Sequence, residues 1–264
     1  KGGAVYGAKS TDLKINNSTF TSNEANDKGG AIFIDESSGL NINNCHFSNL
    51  IAEVDGGAIY GRSNVIVKRS TFNDTTAKTG SGGAIYTSSG YVSVSNSTFI
   101  NNTADIDGGA IYSSSDSIRV IDSNFSYTTV VGWGSGGAIF GNAGVDVINS
   151  NFTNTQAGIW GGAIFGRNSL SVSNSPFTHN NANHGGSIYI GGNGNLIVSD
   201  SIFNHIVANI DGGAIYGETG TNINVSNSTF INATATEYGG AIYGEGSVSV
   251  VDCQFINNTA DYGG

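Results

Sequence analysis

The chain of 264 residues holds no Met, a single Pro and only two Cys. Charge is also scarce: Asp, Glu, Lys and Arg make up 11% of the residues, against about 25% in an ordinary soluble domain. Two Cys in this length exclude a disulfide framework and leave the redox compartment unread. Ten Lys and Arg spread over a chain of net charge −10 exclude the clustered positive charge that nucleic acid or an anionic membrane surface requires. No apolar run is long enough to span a bilayer, and no stretch resembles a signal peptide. What is abundant is Gly, at 40 residues, together with 13 Phe and 11 Tyr in a chain that is 38% apolar. That is too apolar for a disordered chain and too poor in charge for an ordinary enzyme.

The glycines are periodic. A series of Gly-Gly pairs begins at residues 2, 29, 56, 82, 108, 136, 161, 185, 212, 239 and 263, ten successive periods of 24 to 28 residues. A small residue, a branched aliphatic and an aromatic follow each of the first ten pairs, as in Gly56-Gly57-Ala58-Ile59-Tyr60. Each period also carries a Phe, at 20, 47, 72, 99, 125, 152, 177, 203, 230 and 255. Seven and five residues before every Phe stands Leu, Ile or Val, as in Leu13 and Ile15 or Val92 and Val94, the alternation of a strand with one face buried. Three residues before Phe is Asn or Asp in every period except at Arg69, and five after it is Ala in every period except at Val130.

Short apolar stretches separated by turn residues, with a period in the twenties and no helical spacing, predict an all-β chain: a single-stranded parallel β-helix of about ten coils with three short strands each. Like positions of successive coils then stack at about 4.8 Å, giving a rod roughly 48 Å long. Asn and Asp at a bend accept the left-handed conformation and can form a hydrogen-bonded ladder, and Gly-Gly supplies the same freedom at another corner. Strict alternation puts Ile59 and its copies on the face opposite Ala58 and Tyr60. Either the Ile column is inside and an aromatic stripe lies outside, or Ala and Tyr point inward. The stripe is Tyr6, Phe33, Tyr60, Tyr86, Tyr112, Phe140, Phe165, Tyr189, Tyr216 and Tyr243. Exposed, it would be a large apolar contact surface for sugars, a neighbouring rod or another part of a longer chain.

The GGAI motif, alternating with FxxN at Phe20–Asn23, Phe99–Asn102, Phe177–Asn180 and Phe255–Asn258, resembles the repeats of polymorphic outer-membrane protein passenger domains and of bacterial and archaeal adhesin-like surface proteins. The resemblance covers all ten periods. It implies an extracellular right-handed β-helix used for adhesion or as a stalk, without the membrane barrel. Residues 1–264 are expected to form one continuous β-helix. Both ends, Lys1-Gly2-Gly3 and Gly263-Gly264, cut the repeat in the same phase without a polar cap, so the expectation is a window on a longer chain or filament.

Candidates for chemistry are few. Glu53 with Asp55 and Asp105 with Asp107 sit at matching positions two coils apart, about 9.6 Å by stacking, at the edge of an inverting glycosidase's carboxylate spacing. Lys78 falls between them, and a surface column Glu53–Lys78–Asp105 of alternating charge is the simpler expectation. His179 and His205 stack in adjacent coils but have Asn154 and Asn232 as neighbours rather than a third metal ligand. Asp55, Asp107 and Asp211 lack the nonapeptide pattern of calcium β-rolls. Cys45 and Cys253 share a repeat position eight coils apart, roughly 38 Å. No catalytic residue, metal or cofactor is therefore expected. Among the Asn-x-Ser/Thr triplets, Asn124 and Asn151 beside their Phe are the candidate glycosylation sites, whereas Asn17, Asn96 and Asn227 fall in the expected ladder. The functional expectation is a non-enzymatic extracellular shaft or stalk on a cell surface. Its partners would be copies of itself or further repeats of the same chain. Glycan adhesion is the second expectation, and a polysaccharide lyase or glycosidase the distant third.

Overall fold

The computed structural model describes residues 2–9, 12–36 and 39–263; the terminal Lys1 and Gly264 lie outside them. The chain winds as a parallel β-solenoid with three strands per coil, which stack into three long parallel sheets. Sheet A runs from Val5–Gly7 to Ile242–Gly244 and holds the residues after each Gly-Gly pair. Sheet B runs from Asp12–Asn16 to Ser247–Val251, and sheet C, which carries the Phe column from Phe20 to Phe255, from Thr19–Thr21 to Gln254–Ile256. Register follows the sequence repeat: Tyr60 pairs with Tyr86, Phe72 with Phe99 and Val92 with Ile118. No helix among the described residues is long and apolar enough to cross a membrane.

The Gly-Gly corner needs both glycines, each for its own reason. Gly56 has φ of 66°, the left-handed region. Gly57 has no room for a side chain, because a Cβ there would lie 2.0 Å from the carbonyl oxygen of Gly83 in the next coil. Two further corners turn through left-handed residues in all ten coils. One is the Asn/Asp position three before Phe, from Asn17 to Asp252, with φ of 47° to 54°. The other lies two after Phe, from Ser22 to Asn257, with φ of 51° to 55°; His179, His205 and Tyr127 belong to this second corner.

The interior is made of columns. The Phe rings stack at centroid distances of 4.6 to 5.0 Å with planes within 6°, and the aliphatic pairs of sheet B and the Ile of sheet A fill the rest. The strict alternation expected over Ala-Ile-Tyr does not hold. Ala58 and Ile59 are both fully buried in the main core. The N–H groups of both residues donate to one acceptor, the Ala84 carbonyl, at 3.0 and 2.9 Å. Two successive N–H groups aimed at one oxygen kink the chain, so neighbouring side chains share a face before alternation begins at Tyr60.

Candidate functional site

The aromatic stripe lies on the outer side of sheet A, opposite Ile, yet it is not the open apolar surface expected of an outward face. Phe33, Tyr60, Phe140, Phe165, Tyr189 and Tyr216 are buried; Tyr86, Tyr112 and Tyr243 are half-buried; Tyr6 is exposed. The rings from Tyr112 to Tyr243 form a second apolar cluster, separate from the main core. Neighbouring centroids are 4.5 to 5.5 Å apart, so from Phe33 to Tyr216 each ring has a neighbour on both sides and turns mainly its edge outward. A stacking platform for sugar rings needs free faces, and this stripe has none to offer along its length.

Two flanking columns close the stripe. One consists of the residues immediately before Gly-Gly. Lys28 Nζ sits 4.7 Å from the centre of the Tyr60 ring and 2.6 Å from Asp55 Oδ2. Burial opposes the charge of Lys28, but the hydrogen bond and attraction of Asp55 outweigh it and raise its pKa. Trp160 lies against Phe165 and Tyr189, and His184 meets the edge of Tyr216 with its Nδ1 3.2 Å from Asp211 Oδ2. The other column stands two residues past each aromatic and tethers the hydroxyls diagonally. Tyr6 donates to Asp35 of the next coil at 3.3 Å, Tyr216 to Glu245 at 2.6 Å, and Tyr189 to Glu218. Burial, reinforced by these acids, pushes the Tyr189 and Tyr216 hydroxyl pKa values up. Glu245 is held below the usual carboxylate range by the Thr219 hydroxyl and then by Tyr216.

The aspartates before Gly-Gly are structural acceptors. Asp55, Asp107 and Asp211 each take a backbone N–H from the next coil: Ser81 at 3.1 Å, Ser135 at 2.8 Å and Tyr238 at 3.1 Å. Asp107 alone of the three has no basic side chain within ion-pair distance among the described residues, and burial raises its pKa to about 6 against the opposing Ser135 hydrogen bond. The surface charge column differs from the expected one. Lys78 bonds Glu53 at 3.2 Å and Glu24 at 3.4 Å, not Asp105. Among the described residues no group of three His, Cys, Asp or Glu is placed to hold a metal. The His179 and His205 rings do stack, at 5.2 Å, but both nitrogens of His205 meet Asn side chains, Asn204 at 2.8 Å and Asn232 at 3.2 Å.

The expected Asn ladder is real but intermittent. Asn44 donates to Asn17 at 2.7 Å, Asn149 to Asp122 at 2.5 Å and Asn174 to Asn149 at 3.4 Å. Asn96 and Asn227 are exposed at the same corner. Asn124 is exposed and Asn151 half-buried, both flanked by buried Phe. Two features escaped the sequence reading. A buried Ser ladder runs two residues before each Phe: each hydroxyl donates to the carbonyl two residues back and accepts the N–H of the equivalent residue one coil earlier, as at Ser97, Ser123 and Ser150. Cys45 and Cys253 take Ser positions in this column, unpaired. The other is Trp133, 85% exposed on the longest segment between a Phe and the next Gly-Gly, eleven residues. That extra length was its only signal.

A solenoid of stacked parallel coils, with self-filled columns inside and short corners outside, is a β-helix. The family model described as right handed beta helix region matches residues 3–163, more than half of the chain, and the chain belongs to that family. No curated protein and no solved structure matches it.

Proposed function

We propose that this β-helix is a mechanical element working outside the cell, the shaft of a surface stalk or filament. Right-handed β-helices serve both enzymes and non-enzymes, so the reading rests on the surface of this one. The observation that carries it is uniformity: three parallel sheets run through the described coils in the register of the repeat, and the segments between landmarks vary by only a few residues. Clefts on such a rod would have to be walled by long loops, and a depression of about 470 Å³ lies instead at the face of the last coil, against Val248, Val250 and Phe255. Two of the four carboxylates considered for catalysis, both in the earlier of the two coils, are engaged in ion pairs: Glu53 with Lys78, Asp55 with Lys28. The resemblance of GGAI and FxxN to passenger-domain and adhesin-like repeats supports the surface location. Electron cryo-microscopy of the native material tests the proposal. Coils embedded in a continuous fibre, or in a rod anchored on a cell, are expected. Short free rods that release reducing or unsaturated sugar from polysaccharide would overturn it.

A further inference from the structure

Trp133 sits at the tip of Val131-Gly132-Trp133-Gly134, and this segment is fixed to the coils on both sides. The Val131 N–H donates to the Ala104 carbonyl at 2.9 Å, the Gly132 N–H to the Asp105 carbonyl at 3.0 Å, and the Ile159 N–H to the Gly134 carbonyl at 2.9 Å. A Cβ on Gly134 would fall 1.3 Å from the Ile106 carbonyl oxygen, so only glycine lets the chain lie this close to its neighbour. The backbone therefore presents the indole in a set place, which lowers the ordering cost of any contact it makes.

Unlike the stacked rings of sheet A, Trp133 has no aromatic ring against either face among the described residues. Two residues before it, Val131 shares a depression of about 200 Å³ with Thr76, Lys78, Thr103 and Asp105. Asp105 Oδ1 is 3.4 Å from where a Gly132 Cβ would stand. With Lys78 turned to Glu53 and Glu24, Asp105 has no cation partner among the described residues.

We infer that Trp133 and Asp105 form a binding subsite for a neutral saccharide. A pyranose has an apolar C–H face and a rim of hydroxyls. The free indole face covers the first, and the unpaired carboxylate, with the Thr76 and Thr103 hydroxyls, takes the second through charge-assisted hydrogen bonds. The charge selects a neutral sugar, since a net charge of −10 and Asp105 itself repel an acidic one. A protein partner fits less well: a stable protein interface covers about 800 Å² on each side, and the exposed apolar residues of this segment and its neighbour are the few side chains Ile106, Val131 and Trp133. The subsite adds a ligand to the proposed shaft, and either can fail without the other, because imaging a fibre does not depend on Trp133.

The test is titration of the whole 264-residue chain with neutral trisaccharides of glucose, galactose and N-acetylglucosamine, and with trigalacturonate. Trp emission and saturation-transfer NMR are the readouts. At least one neutral probe is expected to blue-shift the emission at millimolar concentration or below, and trigalacturonate to leave it unchanged. Trp133→Ala should weaken that binding by about tenfold or more and Asp105→Asn by about fivefold, with circular dichroism unaltered. Trp133→Phe should restore part of the loss. Binding that survives Trp133→Ala, no response to any neutral probe, or self-association that Trp133→Ala abolishes would each overturn the inference.

Discussion

Ser123 shows how a residue that looks like surface filler becomes structural. Its hydroxyl donates to the Ile121 carbonyl at 2.8 Å and accepts the Ser97 N–H at 3.1 Å, with 1% of the residue exposed. Ser123→Ala leaves that N–H buried without a partner, an expected loss of about 1–3 kcal/mol, measured by urea unfolding. Ser123→Cys should cost less, because Cys45 occupies the same column and donates to the carbonyl two residues back, Asn43, at 3.4 Å. Asp107 carries a prediction of opposite sign. Its folded pKa, raised to about 6 by burial, stands above the unfolded carboxylate value of about 3.9. The folded state then binds the proton more tightly, so Asp107 lowers stability at pH 7 and ceases to do so as pH falls through 6 toward 4. Asp107→Asn, which keeps an acceptor for the Ser135 N–H, is expected to raise the melting temperature at pH 7.5. That gain should disappear near pH 4; a gain independent of pH would refute the assignment.

The aromatic columns of sheets A and C divide the labour between themselves by burial. Phe152 is fully buried, with Phe125 and Phe177 each 4.9 Å away, while Tyr112 is half-buried on the outer face of sheet A. Phe152→Ala should cost about 3–5 kcal/mol, and Tyr112→Ala about 1–2 kcal/mol, read from guanidinium unfolding midpoints. Equal losses would mean that the outer column is as much core as the inner one. The scarcity of Pro also has its reason at this scale. In the column before Phe, the N–H of Asn151 bonds the Ser123 carbonyl at 2.9 Å and that of Thr229 bonds the Ser201 carbonyl at 3.0 Å. Pro176 stands in the same column with no N–H to give, and the ladder between its strand and the one before it registers only from Phe152–Phe177 onward.

Over the whole molecule, each coil touches chiefly the coils before and after it, so stability is a sum over coils and their interfaces. Ser135 and Trp160 occupy the same position of successive coils. Deleting residues 136–160, one full period, and joining Ser135 to Gly161 should therefore preserve the β-sheet circular dichroism and shorten the rod by about 4.8 Å in small-angle scattering. Deleting about half that length, residues 136–147, would put Ile148 and Asn149 in the corner that needs Gly136 and Gly137 and should abolish cooperative unfolding. A chain that collapses after the full-period deletion would show that stability is not shared coil by coil.

Much of this was legible in the chain itself. The Gly-Gly pairs, the Leu/Ile/Val alternation and the Phe that recurs at one position of each period dictate a solenoid, because one coil cannot bury its apolar residues and only stacking on its copies can. The Asn and Asp before Phe announced a left-handed corner by their chemistry. The second left-handed corner was hidden, because Ser, Asn, Asp, Tyr and His alternate there, and His179 and His205 drew notice as metal ligands instead. Tertiary structure alone decided what lies beside what. It put Ala58 and Ile59 on one face through a shared acceptor and turned the ring faces of the aromatic stripe against each other. It also aimed the Ser hydroxyls at N–H groups a coil away and left Trp133 uncovered with an unpaired carboxylate at its side. Periodicity specifies which residues share a column. The direction of an N–H at a corner and the path of a two-residue insertion depend on local backbone geometry, which a repeating pattern of residue types does not encode.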